Sequence, residues 1–269
     1  MPSTTLTHRA TLAIGGADAP DFLQRILTAD LADLPDAVAQ PCALLSPQGK
    51  VLHEFLIARD GDGYLIDVSR AFLPDLARRL MLFRLHAAVT FEPRPSAPVR
   101  AVWDEEFSHR DARFPGATGR SYEPGEDTAP LDEWTRRRIT AGVAELGTDY
   151  GADDLFPHDV GLAQNGGVAI RKGCYVGQEV VSRMHHRGTG RRRVALVHGD
   201  VLPAPGATIE AGGKPAGTMG SSLDGTGLAI VRTDRIADAS QARLAITGAG
   251  TAIDVAAPPG ADWSVPIAA

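Results

Sequence analysis

Residues 171–193, RKGCYVGQEVVSRMHHRGTGRRR, gather the side chains of this chain best suited to chemistry. Cys174, one of only 2 cysteines, follows Arg171 and Lys172 and precedes a Gly-Gln-Glu step and a basic run. Neighbouring cations favour a thiolate over a thiol. YVGQEVVSRMHH has helical composition, which would set Cys174 near a helix N-terminus, where free N–H groups also favour an anion. Gly173 and Gly177 let the backbone come close to a ligand or a neighbouring strand. A lone cysteine is equally a small buried hydrophobe. Residue types alone leave both readings standing.

Gln178 and Glu179 suit a helix first turn. Their amide and carboxylate can also pair with the amino and ring N–H edge of a heterocycle such as a pterin. Arg183, Arg187 and Arg191 to Arg193 form either a solvated face or a seat for a polyanion. A metal site on Cys174, His185 and His186 is disfavoured, because adjacent histidines point about 100° apart on a helix and no second cysteine is near. Cys42 opens an apolar run without flanking charge and reads as core. The chain has no phosphate-binding Gly-x-x-x-x-Gly-Lys-Ser/Thr, no dinucleotide glycine motif, no His-Glu-x-x-His and no Gly-x-Ser-x-Gly.

The elements that must hold these residues are readable in outline. Residues 18–27 predict a helix, with Asp18 as cap, Pro20 in the first turn and an apolar stripe of Phe22, Leu23, Ile26 and Leu27. Residues 42–68 read as a three-stranded meander, turning at SPQGK and at DGDG. A second helix over 71–86 and a strand over 87–92 complete an α+β layer, helices on one face of a mainly antiparallel sheet. PRPSAP reads as a linker. Beyond it, 99–103 reads as a strand, 114–130 as a loop and 131–143 as a helix. From residue 193 onward, short strands cut by Gly and Pro predict a small β-barrel or sandwich.

With 269 residues, 43% hydrophobic and 22% charged, the chain has ordinary soluble composition and room for more than one domain. A net charge of -6 argues against nucleic acid as the primary ligand. Neither a signal peptide nor a membrane-spanning run is visible, and the cytoplasm is the expected compartment, with no direct membrane contact.

KGCYVGQEVVSR resembles the signature of the YgfZ family of folate-binding proteins, which are related to the glycine-cleavage T-protein (aminomethyltransferase). Residues 138–162, 22–31, 44–57 and 227–234 resemble further segments of that family, so the likeness covers nearly the whole chain. The resemblance implies an α+β, T-protein-like three-domain ring with a C-terminal β-barrel. Expected boundaries are 1–95 and 96–190 for the two folate-binding α+β parts, and 191–269 for the barrel.

It further implies tetrahydrofolate or a derivative as cofactor and a role in assembling or repairing iron–sulfur clusters. Cluster proteins and tRNA-modifying enzymes are the implied partners and clients, and a monomer is expected. By position, Cys174 is the functional thiol. Lys172, Gly173, Tyr175, Gly177, Gln178, Glu179, Arg183 and Arg138 are the expected folate-binding residues; no metal is expected. Two departures bear on catalysis. Where the T-protein carries an aspartate that acts at the folate amine, this chain offers His53 and Glu54, and Thr140 replaces a pterin-facing glutamate. The T-protein's catalytic carboxylates are thus unmatched, and two alternatives stand beside the assembly role: a folate-dependent aminomethyl or one-carbon transferase, for which Glu54 or His53 is the candidate base, and a noncatalytic, folate-gated binding module.

Overall fold

The computed structural model describes residues 2–104, 107–188 and 190–266. In chain order the N-terminal part runs β1 (Ser3–Thr5), β2 (Arg9–Gly15), α1 (Ala19–Ile26), β3 (Val38–Leu45), β4 (Val51–Asp60), β5 (Gly63–Ser69), α2 (Leu73–Arg84) and β6 (Thr90–Arg94). It continues with β7 (Arg100–Trp103), β8 (His109–Asp111), β9 (Thr118–Ser121), α3 (Leu131–Thr140) and α4 (Gln178–Arg187). The C-terminal part has β10 (Arg192–His198), β11 (Thr208–Ala211), β12 (Lys214–Leu223), β13 (Thr226–Arg232), α5 (Thr233–Gln241), β14 (Ile246–Gly248), β15 (Thr251–Ala252) and β16 (Asp254–Ala256).

The first part is one nine-stranded sheet in the order β1-β7-β9-β8-β3-β4-β5-β2-β6. Pairing is antiparallel except at β3–β8, where Val38 and Ala39 run parallel to Arg110 and Asp111. Strand periodicity sorts its side chains. Cys42, Leu44, Phe55, Ile57, Ile66 and Val68 join α1 and α2 in one core, while Ala43, Leu45 and Val51 face a second core with Leu146, Leu155, Val181 and Leu228. α1 and α2 thus cover one face, as the patterning predicts. The opposite face is covered by the long irregular stretch before α4, which carries no periodic signal, together with Val181 of α4 and Leu228 of β13.

The second sheet, in the order β15-β14-β11-β12-β13-β10-β16, closes around Val197, Ile209, Met219, Val231 and Ile253, with α5 packed on it through Ile236 and Ala239. Several elements differ from expectation. β9 lies inside the stretch read as loop, and β1, β2, β8 and α5 are additional to the expected elements. Within the region read as short strands, a helix, α5, comes before β14 (Ile246–Gly248).

Candidate functional site

Two features stand apart: a cavity between the two sheets, and the loop that carries Cys174. The cavity has a volume of about 1080 Å³ and is walled by Glu54 of β4, Arg113 and Phe114 after β8, Thr140 to Val143 at the end of α3, Arg193 of β10, and the tail from Pro258 to Trp263. That size suits a ligand larger than a simple metabolite.

Glu54 reaches the cavity because of a bulge. β3 pairs Leu44 with His53 but Leu45 with Val51, and beyond that irregularity His53 and Glu54 point to opposite faces. His53 turns to α2, where its Nε2 lies 3.0 Å from Asp75. Glu54 turns to the cavity. Its Oε2 accepts hydrogen bonds from Leu146 N at 2.9 Å and Tyr150 Oη at 2.8 Å. Its Oε1 lies 3.6 Å from Arg113 Nη1. Burial pushes this carboxyl up, the Arg113 guanidinium opposes the shift, and Glu145 adds to it.

Behind Glu54 runs a buried chain of ion pairs. Arg9 donates to Asp67 at 2.7 Å, Arg120 reaches Asp67 at 3.1 Å and Asp111 at 3.2 Å, and Arg113 donates to Asp111 at 2.9 Å. Glu145 continues it between Arg113 and Arg138, and Arg138 donates to Asp149 at 2.5 Å. Burial alone would raise the Glu145 carboxyl, yet His8 and the guanidinia of Arg138, Arg9 and Arg113 hold it well below the usual carboxylate range. Glu54 stands at the cavity end of this network, where burial pushes its carboxyl up.

The Cys174 loop is built from the signature residues themselves. Lys172 is buried and donates its ammonium protons to the Gln24 and Ala29 carbonyls at 2.8 and 2.6 Å. Tyr175 is buried in the second core, its ring 5.2 Å from Lys172 Nζ. Gly177 takes a left-handed φ of 80°, and a Cβ there would meet the Ser46 carbonyl oxygen at 2.7 Å. Gln178 opens α4 and donates to the Lys172 carbonyl at 3.3 Å. Glu179 and Arg183 form an exposed pair along α4 at 2.5 Å. Gly173 and Cys174 are left exposed between these anchors. Cys42, as its neighbours suggest, is core: its thiol accepts from Ala29 N at 3.4 Å, and burial pushes its pKa up.

The structure thus brings the expected residues together as a loop but not onto the cavity wall. None of Lys172, Gly173, Cys174, Tyr175, Gly177, Gln178, Glu179 or Arg183 lines the cavity, nor does Arg138. Arg138 is instead committed to Asp149, the Val143 carbonyl and Ser221. The wall residues Arg110, Arg113, Phe114 and Trp263 carry no local motif and are collected by tertiary folding alone. Glu54 and Thr140, flagged in sequence as departures from the aminomethyltransferase pattern, are both on the wall. His185 lies 5.9 Å from buried His158 and 5.4 Å from His186, ring centre to ring centre. Among the described residues no group of three or more His, Cys, Asp or Glu is placed to hold a metal ion.

Comparison with known proteins gives the site a context. Residues 191–263 match the model of the CAF17 C-terminal β-barrel domain. The human mitochondrial iron–sulfur cluster assembly factor IBA57 is 29% identical, over 96% of this chain and 84% of the human protein. The IBA57 homolog of Pyricularia oryzae is 28% identical, over 87% of this chain and 72% of that protein. Among solved structures, the glycine cleavage system aminomethyltransferase T from Bartonella henselae superposes with a TM-score of 0.75 at 15% identity, covering 97% of this chain and 86% of that one. The expected cytoplasmic compartment is corrected by these relatives, which are named mitochondrial. The α+β T-protein-like fold with its C-terminal β-barrel is present, and over most of its length the chain is similar to iron–sulfur cluster assembly factors of the IBA57 type.

Proposed function

We propose that this protein is a tetrahydrofolate-binding factor for the assembly or repair of iron–sulfur clusters, close in type to the YgfZ proteins, and that it serves cluster-dependent enzymes, tRNA-modifying ones among them. The observation that carries the reading is the similarity to cluster assembly factors along 96% of the chain. The cavity and the thiol loop then divide the work. Cys174 offers an exposed thiol on an anchored loop, suited to exchange with a disulfide or to brief handling of sulfur or iron.

The cavity residues fit a folate. Glu54 has one carboxylate oxygen held by Leu146 and Tyr150 and the other left to accept from an N–H edge. Phe114 and Trp263 supply flat apolar walls, and the Arg110 side chain at the rim has no protein partner among the described residues, leaving it for a carboxylate tail. When bound, tetrahydrofolate would supply a carrier for one-carbon units. Titration of the purified chain with tetrahydrofolate should show saturable binding that Glu54→Ala weakens roughly tenfold or more, the scale of a lost charge-assisted hydrogen bond, and that Cys174→Ala leaves alone. In cells lacking the protein, Cys174→Ala should fail to restore cluster-dependent tRNA thiolation. Full restoration would end the essential-thiol reading, and absence of folate binding would end the cofactor reading.

Glu54 also favours a second reading, one-carbon transfer from an amine, because a buried carboxyl with a raised pKa on a cavity wall is suited to general acid–base work. Formation of methylenetetrahydrofolate from an amine donor, abolished in Glu54→Gln, would favour it over a folate that is bound and never turned over.

A further inference from the structure

In the signature KGCYVGQE, a lysine two positions before the cysteine suggests a cation serving a ligand. The structure gives that lysine a different task. Its ammonium points away from solvent into the end of α1, where the Gln24 carbonyl lies in the last turn and Ala29 follows it. Carbonyls in a last helical turn have no N–H of their own helix to accept from, and the helix dipole is negative there. An ammonium with three donors is matched to that end, and the ring of Tyr175 closes over it. Around this point the surrounding chain is stitched to the same region: Thr28 Oγ1 donates to the Gly167 carbonyl at 2.7 Å and Ala169 N donates to the Thr28 carbonyl at 2.9 Å. On the far side of the thiol, Gly177 is wedged against the turn at Ser46 and Gly49.

We propose that Lys172 is the positioning residue of the Cys174 thiol: its buried ammonium, held by the Gln24 and Ala29 carbonyls, pins the 171–177 loop to the end of α1 so that Cys174 is presented to a partner in one orientation. The proposal rests on the reading of Cys174 as the working thiol. Without the clasp, the loop keeps its covalent path but loses its inner anchor, and the thiol spreads over many orientations. Lys172 and the two carbonyls it holds are absent from the cavity wall, so the clasp forms no part of the proposed folate pocket.

A nitroxide label on Cys174, in a full-length Cys42→Ala background where it is the sole thiol, reports this directly. Lys172→Met should convert an immobile spectrum into a mobile one, reduce restoration of cluster-dependent tRNA thiolation roughly tenfold or more, and leave tetrahydrofolate affinity unchanged. Lys172→Arg, which keeps a cation able to donate to the same carbonyls, should keep the label immobile and activity near wild type. If the methionine variant does not fold, Lys172→Gln retains a shorter neutral donor and should give intermediate mobility. An immobile label in whichever of these two variants folds overturns the clasp, and so does a loss of tetrahydrofolate binding with the label still immobile. If Cys174→Ala restores thiolation in full, the working-thiol reading fails by itself, while label mobility still judges the clasp.

Discussion

At the scale of single residues, environment sets chemistry that residue type alone does not. Asp159 follows His158 in the irregular stretch before α4, is buried, and accepts a hydrogen bond from Phe156 N at 3.0 Å. Burial pushes its carboxyl up from 3.8 to about 6, against the pull of the Phe156 N–H, Arg193 and Arg192. Between those two values the folded protein keeps a proton that the unfolded chain has released. Stability from this group is therefore complete below the unfolded pKa and is lost as pH rises through about 6. Asp159→Asn keeps an acceptor for Phe156 and removes the titration. Urea unfolding should find the variant more stable than wild type by up to about 3 kcal/mol at pH 8, at roughly 1.4 kcal/mol per pKa unit. The gap should close near pH 4, and two parallel stability curves would rule the assignment out. Glu54 obeys the same logic, and its value as a candidate depended on which face of β4 it occupies. Its carboxylate was legible as a candidate in the sequence; the bulge that aims it at the cavity was not, because neither Leu44 nor Leu45 marks the irregularity.

At the scale of elements, the hairpin turn between β3 and β4 and the start of α4 interlock through two glycines. Gly49 has φ +81° and a Cβ there would lie 3.0 Å from Val180 Cβ and 3.2 Å from the Gly177 carbonyl oxygen. Gly177 has φ +80° and a Cβ there would meet Gly49 Cα at 2.9 Å. Alanine at either position meets both backbone strain and the opposing turn, and each should cost about 1–3 kcal/mol. Once one substitution has pushed the turns apart, the second meets less resistance. Chemical denaturation of the two single variants and the double should therefore show a loss smaller than the sum; strict additivity would mean that the turns do not bear on each other. Elements with strong periodicity or turn chemistry were legible: α1, the meander of β3 to β5, α2, α3 and α4 all lie where apolar spacing places them, although Asp18, read as the cap of α1, makes no side-chain cap bond and accepts instead from Ala88 N. β1 and β9 were hidden because their buried positions hold Ser3, Thr4, Thr118 and Arg120; β2, by contrast, does alternate, sending Ala10, Leu12 and Ile14 into the first core, and went unread. A strand whose buried side chains are polar has no hydrophobic alternation to read. The stretch covering the second face of the sheet escaped for the opposite reason: it has no regular structure, and its order comes from contacts across the molecule.

At the scale of the whole molecule, the cavity has walls on both sheets, so its shape depends on what ties them. Arg138 is the centre of that tie. It binds Asp149 on its own side of the molecule and reaches Ser221 of β12 at 2.5 Å, while Ser221 N and Oγ both donate to Asp149 Oδ1, at 2.8 and 2.6 Å. An arginine with five donors and no acceptor is suited to bridge a carboxylate, a carbonyl and a hydroxyl at once. In sequence it fell within a segment resembling folate-binding relatives and was expected to touch the cofactor; its partners make it a clasp between the barrel and the rest. Removing it leaves Asp149 buried with its guanidinium gone, a loss of about 3–5 kcal/mol by the usual cost of breaking one side of a buried pair. Arg138→Met should therefore do more than lower stability. Calorimetry should resolve the barrel unfolding ahead of the remainder, and affinity for tetrahydrofolate, the proposed ligand, should fall although Arg138 does not line the cavity. Adding Asp149→Leu removes the stranded carboxylate, so the double variant should regain stability without regaining affinity, because an apolar pair relieves the buried charge but cannot hold Ser221. Affinity that returned together with stability would show that the ion pair matters to the cavity only through global folding, and that the barrel needs no specific clasp to close it.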